Sequence, residues 1–168
     1  MTHHIAVTKR FNVSANKVWA VLADFENVAN WHFSVDNSPL HNDQAFGLGS
    51  KRTCNFYDGT SVVEEIIEYQ EGQSFIVNIT DMSMPLKSLV AGTKVTAINS
   101  NLCEVTIDMN FVVKFGPLGW IMGMVMMKPM MKGLTTKLLN GLAYHAATQK
   151  IIGNKLPDRA QLTPIQAL

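Results

Sequence analysis

The order of apolar patterns along this chain predicts an α+β fold: an antiparallel sheet with one buried face, covered by one long C-terminal helix. Alternating apolar and polar residues recur in short runs between residues 3 and 114, as strands with one buried face require. Two short helical segments follow the first of these runs. Beyond Pro117 the apolar spacing becomes helical and remains so to about Ile152. A sheet with one apolar face needs a cover, and this helix can supply it.

The first two elements are predicted near the N-terminus. The segment HHIAVTKRFNV alternates as a strand does, and VSANKVWAVLAD has the spacing of a helix. Ser14 is its predicted N-cap, because a serine hydroxyl can accept a hydrogen bond from a free N–H group of the first helical turn. Val18, Trp19 and Leu22 form the apolar stripe of this helix. A second short helical piece is predicted in FENVANWH.

Five further strands are predicted between turn-forming dipeptides and tripeptides. A three-residue NSN loop in the last hairpin would place Val95 beside Val105 and Leu89 beside Phe111, so that both strands share one apolar face. The five strands are predicted at Lys51–Tyr57, Ser61–Tyr69, Ser74–Asp81, Ser88–Ile98 and Leu102–Lys114.

The hairpin at Asp58-Gly59 carries the most informative register. A two-residue turn there would pair Arg52 with Glu65 on the inward face. Two charges on an apolar concave face are costly unless they pair or serve a function. A slip of one residue would bring Glu64 inside instead of Glu65, so the sequence leaves both carboxylates open.

Composition restricts the classes of function. Charged residues make up only 16% of the 168 residues and the net charge is +1, so no nucleic-acid partner is predicted. The N-terminus lacks a secretory signal, and Cys54 and Cys103 have no CxxC partner, which is typical of a reduced, cytoplasmic protein. The uncharged run from Phe115 to Met127 is too short to span a membrane, so no stable membrane insertion is expected. Residues 1–152 are predicted as one domain and residues 153–168 as a C-terminal extension.

No motif for a metal or cofactor is present in the sequence. The pattern GxSxG, the phosphate-binding loop, HExxH and GxGxxG are all missing, and the five histidines are scattered. A thioether site for Cu(I) in the methionine-rich stretch is disfavoured, because no histidine or cysteine lies among the methionines. Neither a metal nor a cofactor is therefore predicted.

Several segments resemble the START-like superfamily, in the polyketide cyclase/dehydrase and lipid-transport group related to the Bet v 1 allergens. They are FNVSANKVWAVLADFENVANWH, GLGSKRTC, DGTSVVEEI, MSMPL and FGPLG, and the resemblance covers roughly residues 3 to 150. It implies a helix-grip fold, in which a curved antiparallel sheet of about seven strands wraps around the C-terminal helix and leaves a cavity. Relatives bind lipids, hormones or polyketides in that cavity, and some are aromatase/cyclases. The resemblance therefore implies a cavity without defining its chemistry.

The methionines of the closing helix are the first candidates for a cavity wall. Six of the ten methionines lie between Trp120 and Gly133. Met122, Met126 and Met130 recur at every fourth residue and share one helix face. A neighbouring stripe consists of Trp120, Met124, Met127 and Met131, and we expect most of these methionines to point inward. Methionine is flexible and polarizable, and it suits a surface that adapts to varied apolar ligands. Ordinary core packing is the alternative interpretation.

The remaining predicted site residues are three apolar side chains of the sheet and four that carry polar groups. Trp31 would alternatively be a core or rim aromatic residue, and the arginine–carboxylate pair would alternatively be a structural ion pair. His145 is predicted as a core histidine. The predicted ligand-binding residues from the sheet and its flanking helix are Trp31, Arg52, Glu65, Tyr69, Leu89, Met109 and Phe111.

The sequence therefore predicts a protein that binds a small, largely apolar molecule in an internal cavity. The second hypothesis is an enzyme of the cyclase or dehydratase type that moves protons with Glu65, His32 or Tyr69. The third is a ligand-gated interaction module, with the MSMPL loop as its gate. An exposed strand edge and the apolar start of the closing helix are compatible with a homodimer.

Overall fold

The computed structural model describes residues 2–167, which form one antiparallel sheet with helices packed against it. Strands β2 to β7 follow one another as hairpins, β1 pairs with β7, and β8 pairs with β1. The strands are β1 His3–Phe11, β2 Val35–Asn37, β3 Lys51–Phe56, β4 Ser61–Gln70, β5 Ser74–Thr80, β6 Leu86–Asn99, β7 Leu102–Val113 and β8 Gln166–Ala167.

The helices show the predicted order. Two short helical segments follow β1, and a continuous helical stretch from Gly116 to Thr148 follows β7 and covers the sheet. This arrangement is the helix-grip fold, as predicted. Between residues 2 and 167, no helix combines the length and the apolarity that crossing a lipid bilayer requires. The helical elements are α1 Ala15–Ala23, a 3-10 segment Phe25–Asn30, α2 Gly116–Met122, a π-helical turn Gly123–Met127, α3 Lys128–Thr148 and α4 Arg159–Leu162.

Helix α1 begins and packs as the sequence indicates. The Ser14 hydroxyl accepts a hydrogen bond from the Lys17 N–H at 3.4 Å, which satisfies one of the free donors of the first turn. Val18, Trp19 and Leu22 are buried in the core. The predicted cap and stripe are therefore confirmed.

The register between β6 and β7 is also confirmed, although the loop differs from the prediction. Val95 pairs with Val105, and Leu89 pairs with Phe111. The loop itself is one residue shorter than predicted, because Asn99 still pairs with Leu102. A register shift between Ala97 and Asn99 accommodates the residue by which the loop is shortened, so the apolar face stays continuous along both strands.

The predicted register between β3 and β4 is wrong by one residue. The Phe56 N–H donates to the Thr60 carbonyl oxygen at 2.9 Å, which closes a turn with three central residues instead of two. The third of these, Gly59, has a φ of +84°, a value that glycine adopts without steric strain. Arg52 therefore pairs with Glu64 and not with Glu65.

The inward face of the closing helix also differs from the prediction. Met126 and Met130 are exposed, by 66% and 47%, and Met122 is half-buried. Another series with the same four-residue spacing faces the sheet, and it begins with two glycines. The glycines decide the orientation, because without a Cβ they let the helix lie directly against its neighbours. The inward series is Gly119, Gly123, Met127, Met131, Thr135 and Leu139.

The residues beyond the closing helix return to the N-terminal strand. The Lys9 ammonium donates to Asn140 Oδ1 at 2.6 Å and to Gln166 Oε1 at 3.1 Å, which links β1, α3 and β8. Leu162 and Ile165 are buried. Residues 153–167 thus contribute both to the core and to the edge of the sheet.

A third glycine allows α3 to approach the N-terminal half of the chain. A Cβ built on Gly141 would lie 2.2 Å from the carbonyl oxygen of Trp31, which is far inside van der Waals contact. Gly133, on the same helix, has open space around the corresponding position.

We expect Gly141→Ala to lower the free energy of unfolding by about 1–3 kcal/mol, because the added methyl group forces helix and loop apart. Gly133→Ala is the matched control and should raise the same free energy by about 0.5–1 kcal/mol, since alanine favours the helical backbone. Urea denaturation followed by circular dichroism measures both values. Equal effects of the two substitutions would contradict the close approach at Gly141.

Candidate ligand-binding site

A nearly buried ion pair joins β3 to β4 on the concave side of the sheet. Arg52 donates from Nε to Glu64 Oε2 at 2.8 Å, and from Nη2 to the same oxygen at 2.5 Å. The two residues are direct cross-strand partners. A buried ion pair is tolerated only when further hydrogen bonds satisfy its donors and acceptors.

The remaining contacts of Arg52 come from the 3-10 segment. Its Nη1 donates to the Phe25 carbonyl oxygen at 2.5 Å, and its Cζ lies 3.7 Å from the centroid of the Phe25 ring. The planar guanidinium thus forms hydrogen bonds at its edge and a cation–π contact on its face. These contacts attach the segment after α1 to the sheet.

A cysteine shares this environment but is poorly suited to act as a nucleophile. The Cys54 Sγ lies 3.7 Å from Glu64 Oε2 and is buried. Burial, together with the nearby Glu64 carboxylate, raises the pKa of the Cys54 thiol to about 12. The thiol therefore stays protonated near neutral pH, and a protonated thiol is a weak nucleophile.

His32 lies next to the ion pair and is held in its neutral form. Burial lowers its pKa to about 4, and the Arg52 charge also lowers it, while the Glu64 carboxylate partly opposes these effects. The Ser34 backbone N–H donates to His32 Nδ1 at 3.3 Å. Because Nδ1 accepts this hydrogen bond, the proton of the neutral imidazole belongs on Nε2.

A cavity of about 520 Å³ opens between the β3–β4 hairpin, the loop before β6 and helix α3. Its wall is mostly apolar, with a few hydroxyl, amide and carboxylate groups near the hairpin. The lining residues are Phe33, Ser34, Phe56, Tyr57, Asp58, Thr60, Val62, Met82, Ser83, Met84, Leu134 and Asn154.

The wall of this cavity and the buried polar residues are in direct contact. The ring centroid of His32 lies 5.6 Å from that of Phe33 and 6.1 Å from that of Phe56, and both phenylalanines line the cavity. Val62, another lining residue, precedes Glu64 by two positions on the same strand and so shares its face. The cavity wall therefore contacts the His32 ring, and the ion pair lies behind this wall, on the same strand face as Val62.

A second concavity, of about 360 Å³, lies between α1 and the end of α3. Lys17, Asp24 and Gln149 contribute to its wall, which makes it more polar than the first. It also contains one side of Trp31 and of His145, whose Nδ1 lies 2.8 Å from the Lys150 carbonyl oxygen. We assign the candidate site to the first cavity, because it is larger and its wall is mostly apolar, whereas charged side chains line the second.

Two of the predicted polar residues, Glu65 and Tyr69, lie away from the site. Glu65 points outward, where its carboxylate lies 3.6 Å from the Lys51 ammonium on the exposed side of the hairpin. Tyr69 packs its ring against Trp19, and its hydroxyl donates to Glu71 at 3.1 Å near the β4–β5 turn. Neither side chain joins the ion pair.

The predicted apolar wall residues of the sheet lie in the closed core. Leu89, Met109 and Phe111 are all buried. The Thr135 hydroxyl of α3 lies 3.8 Å from the Met109 sulfur, and the Phe111 ring stacks with His3 at 5.2 Å. These residues are covered by the closing helix and do not line the 520 Å³ cavity.

The cavity wall includes residues that sequence reasoning does not select as ligand contacts. Met82 and Met84 belong to the MSMPL segment, for which the sequence predicts only a gate, and Leu134 belongs to the apolar stripe of the closing helix. The sequence signal for the inward position of Glu64 is Gly59, the third residue of the turn. A three-residue hairpin loop favours glycine at that position, and a loop of this length pairs Arg52 with Glu64.

The chain belongs to the polyketide cyclase / dehydrase and lipid transport family, whose sequence profile matches residues 2–147. No curated protein shows significant similarity to the chain. Within residues 2–167, no group of three or more histidine, cysteine or acidic side chains is placed to hold a metal ion.

Solved structures of the same fold include proteins of several kinds. An uncharacterized protein from Bacillus thuringiensis is 17% identical, with a TM-score of 0.70, over 86% of this chain and 99% of that protein. The ZhuI aromatase/cyclase from Streptomyces sp. R1128 is 12% identical, with a TM-score of 0.70, over 89% and 96% of the two chains. Norcoclaurine synthase from Thalictrum flavum is 13% identical, with a TM-score of 0.60, over 83% and 95%. At these identities the similarity establishes the fold alone.

We expect Glu64→Ala to lower the free energy of unfolding by about 3 kcal/mol, because it leaves the Arg52 charge buried without its partner. Glu65→Ala is the matched control on the neighbouring position. It removes only an exposed ion pair and should change the same free energy by less than about 1 kcal/mol. Urea denaturation at pH 7 distinguishes the two variants. A larger loss of unfolding free energy for Glu65→Ala than for Glu64→Ala would support the register in which Glu65 points inward.

The lowered pKa of His32 predicts a loss of stability in acid. Its pKa is about 4 in the folded chain and 6.5 in an unfolded chain, so between these values the unfolded chain binds a proton that the folded chain does not. The free energy of unfolding should therefore fall as the pH is lowered from 6.5 to 4, by up to about 3 kcal/mol from this residue.

His32→Gln removes this contribution. The unfolding free energies of His32→Gln and of the parent protein are compared at each pH. The difference in unfolding free energy between the two proteins should be constant above pH 7 and shift in favour of His32→Gln in acid. Parallel curves down to pH 4 would show that the pKa of His32 is not lowered.

Proposed function

We propose that this protein binds a small, largely apolar molecule in the 520 Å³ cavity, with one weakly polar end of the molecule next to His32. The observation that supports the proposal most directly is a mostly apolar wall that carries a few polar groups and contacts the ring of His32. This combination is the usual form of a small-molecule site, and the volume lies within the range of about 300–1,000 Å³ that such sites span.

The wall favours ligands that vary in shape. Met82 and Met84 stand on the loop before β6, opposite Leu134 of α3, and both methionines are only partly buried. Their unbranched side chains can adopt several rotamers at little cost. A lipid-like or polyketide-like molecule suits such a wall better than a rigid polar metabolite does.

The polar groups favour a neutral acceptor on the ligand. Arg52 is neutralised by Glu64 and also donates from Nη1 to the Phe25 carbonyl oxygen, so it offers no free positive charge to a carboxylate. His32 is neutral, and no group of residues 2–167 hydrogen-bonds to its Nε2, which carries the proton. A carbonyl or hydroxyl oxygen is the natural partner of this N–H donor.

An enzyme of the cyclase or dehydratase type is the second candidate, favoured by the proximity of His32 and Glu64 in an apolar cavity. A general base works best when its pKa is near the working pH, and the pKa of His32, about 4, is too low for that. Glu64 Oε2 already accepts two hydrogen bonds from Arg52. Binding without turnover is therefore the simpler function for this geometry.

The third candidate function is an interaction module in which ligand occupancy controls a partner protein. The Met82–Met84 loop, which lines the cavity, is its gate. Cys54 and Cys103 are both buried and unpaired, in keeping with a cytoplasmic location.

Native mass spectrometry of the gently purified protein tests the proposal. We expect a mass excess that disappears on denaturation and that is lost in Leu134→Trp, because the indole occupies cavity volume. Ile98→Trp, at an exposed position near the β6–β7 turn, is the matched control and should keep the excess. Titration of the extracted molecule back into both variants should show at least a tenfold weaker Kd for Leu134→Trp only. Equal binding by the two variants would place the ligand outside this cavity.

A further inference from the structure

The outer side of α2 and the π-helical turn is apolar and exposed. We call it the outer apolar surface. Leu118 is 77% exposed and Val125 is 67% exposed, although large apolar side chains of this kind are usually buried in monomeric proteins. The surface consists of Phe115, Leu118, Ile121, Met124, Val125, Met126 and Met130.

This segment buries its smallest residues and exposes its largest ones. A Cβ on Gly119 would lie 1.7 Å from the Lys114 carbonyl oxygen, and a Cβ on Gly123 would lie 2.2 Å from His3 Nε2. The helix can therefore pack on β7 and β1 only through these glycines. An amphipathic helix that served the core alone would have the opposite pattern, with its bulky residues facing the sheet.

Charge along the chain is segregated around this surface. All thirteen acidic residues lie outside residues 109–157, while six lysines lie within that segment. Lys114 and Lys128 flank the outer apolar surface, and Lys132 follows one turn later. The overall charge of +1 thus conceals a locally positive region around an apolar centre.

We propose that the outer apolar surface docks on the surface of an anionic phospholipid bilayer, with the helix lying in the plane of the interface. Apolar side chains would enter the boundary between headgroups and acyl chains, and the lysines would contact lipid phosphates. A symmetric contact with a second copy of the chain is disfavoured, because it would bring lysines of one copy near lysines of the other, and residues 109–157 contain no acidic side chain to pair with them.

The docked orientation would bring the cavity mouth to the membrane. The Lys114 N–H donates to the Pro85 carbonyl oxygen at 2.9 Å, and Leu86 pairs with Val113, so the loop before β6 is joined to the start of the docking segment. Met82 and Met84 of that loop line the cavity. The transfer of an apolar ligand at this point rests on the proposed function, whereas docking itself does not require a ligand.

Vesicle co-sedimentation with the full chain tests docking. We expect binding to vesicles of phosphatidylcholine with about 30% phosphatidylglycerol, at least tenfold weaker binding to phosphatidylcholine alone, and weakening at about 0.5 M salt. The double variant Leu118→Ser/Val125→Ser should bind the anionic vesicles at least tenfold more weakly. Its matched control, Leu48→Ser/Ile98→Ser, removes two exposed apolar residues elsewhere and should bind as the parent does.

A second variant separates the charge from the apolar contact. Lys114→Gln/Lys132→Gln should weaken binding to anionic vesicles by about fivefold per lysine and leave thermal unfolding unchanged. Three results would overturn the proposal: no binding to anionic vesicles, equal loss in the Leu48→Ser/Ile98→Ser control, or a dimer in sedimentation velocity that only Leu118→Ser/Val125→Ser abolishes. Because native mass spectrometry reads ligand binding separately, failure of docking leaves the proposed function standing, and the reverse also holds.

Discussion

The ion pair between Arg52 and Glu64 is the interaction on which the site depends. It joins two strands of the sheet, and through the Phe25 carbonyl oxygen and ring it also holds the segment that follows α1. That segment leads directly into His32, whose charge state is governed by burial beside the pair. The apolar cavity wall can lie near these charges because they neutralise each other and form hydrogen bonds within the protein.

A second constraint is the close approach of the closing helix. Gly119, Gly123 and Gly141 face backbone or side-chain atoms at distances that no Cβ would tolerate. Gly119 and Gly123, which let the first turns of the helix lie against the sheet, also turn the larger residues of those turns toward solvent. The outer apolar surface is thus a consequence of how the helix packs, and its neighbouring lysines give it the character of a membrane-facing surface.

The fold is largely predictable from the sequence, whereas the site is only partly so. Alternation along β7 and the helical spacing after Pro117 are local patterns, and they indicate the sheet, its buried face and its helical cover. The sequence identifies Arg52 as an inward charge, but the predicted partner lies one residue away from the observed one. The error arises from one residue of turn length, because a shift of one position moves each side chain of a strand to the other face.

Local sequence patterns are sufficient for the antiparallel strands, their helical cover and the presence of a charge inside the sheet, because periodicity and turn residues act over short distances. The helix-grip arrangement and the family follow from the resemblance of longer segments to known proteins. Long-range packing, in contrast, selects which four-residue series of the closing helix faces inward and which residues line the cavity. Met126 and Met127 illustrate the reason: they are neighbours with identical side chains, and only Met127 is buried. The difference comes from the glycines four and eight residues before Met127, which meet their neighbours only when the chain is folded.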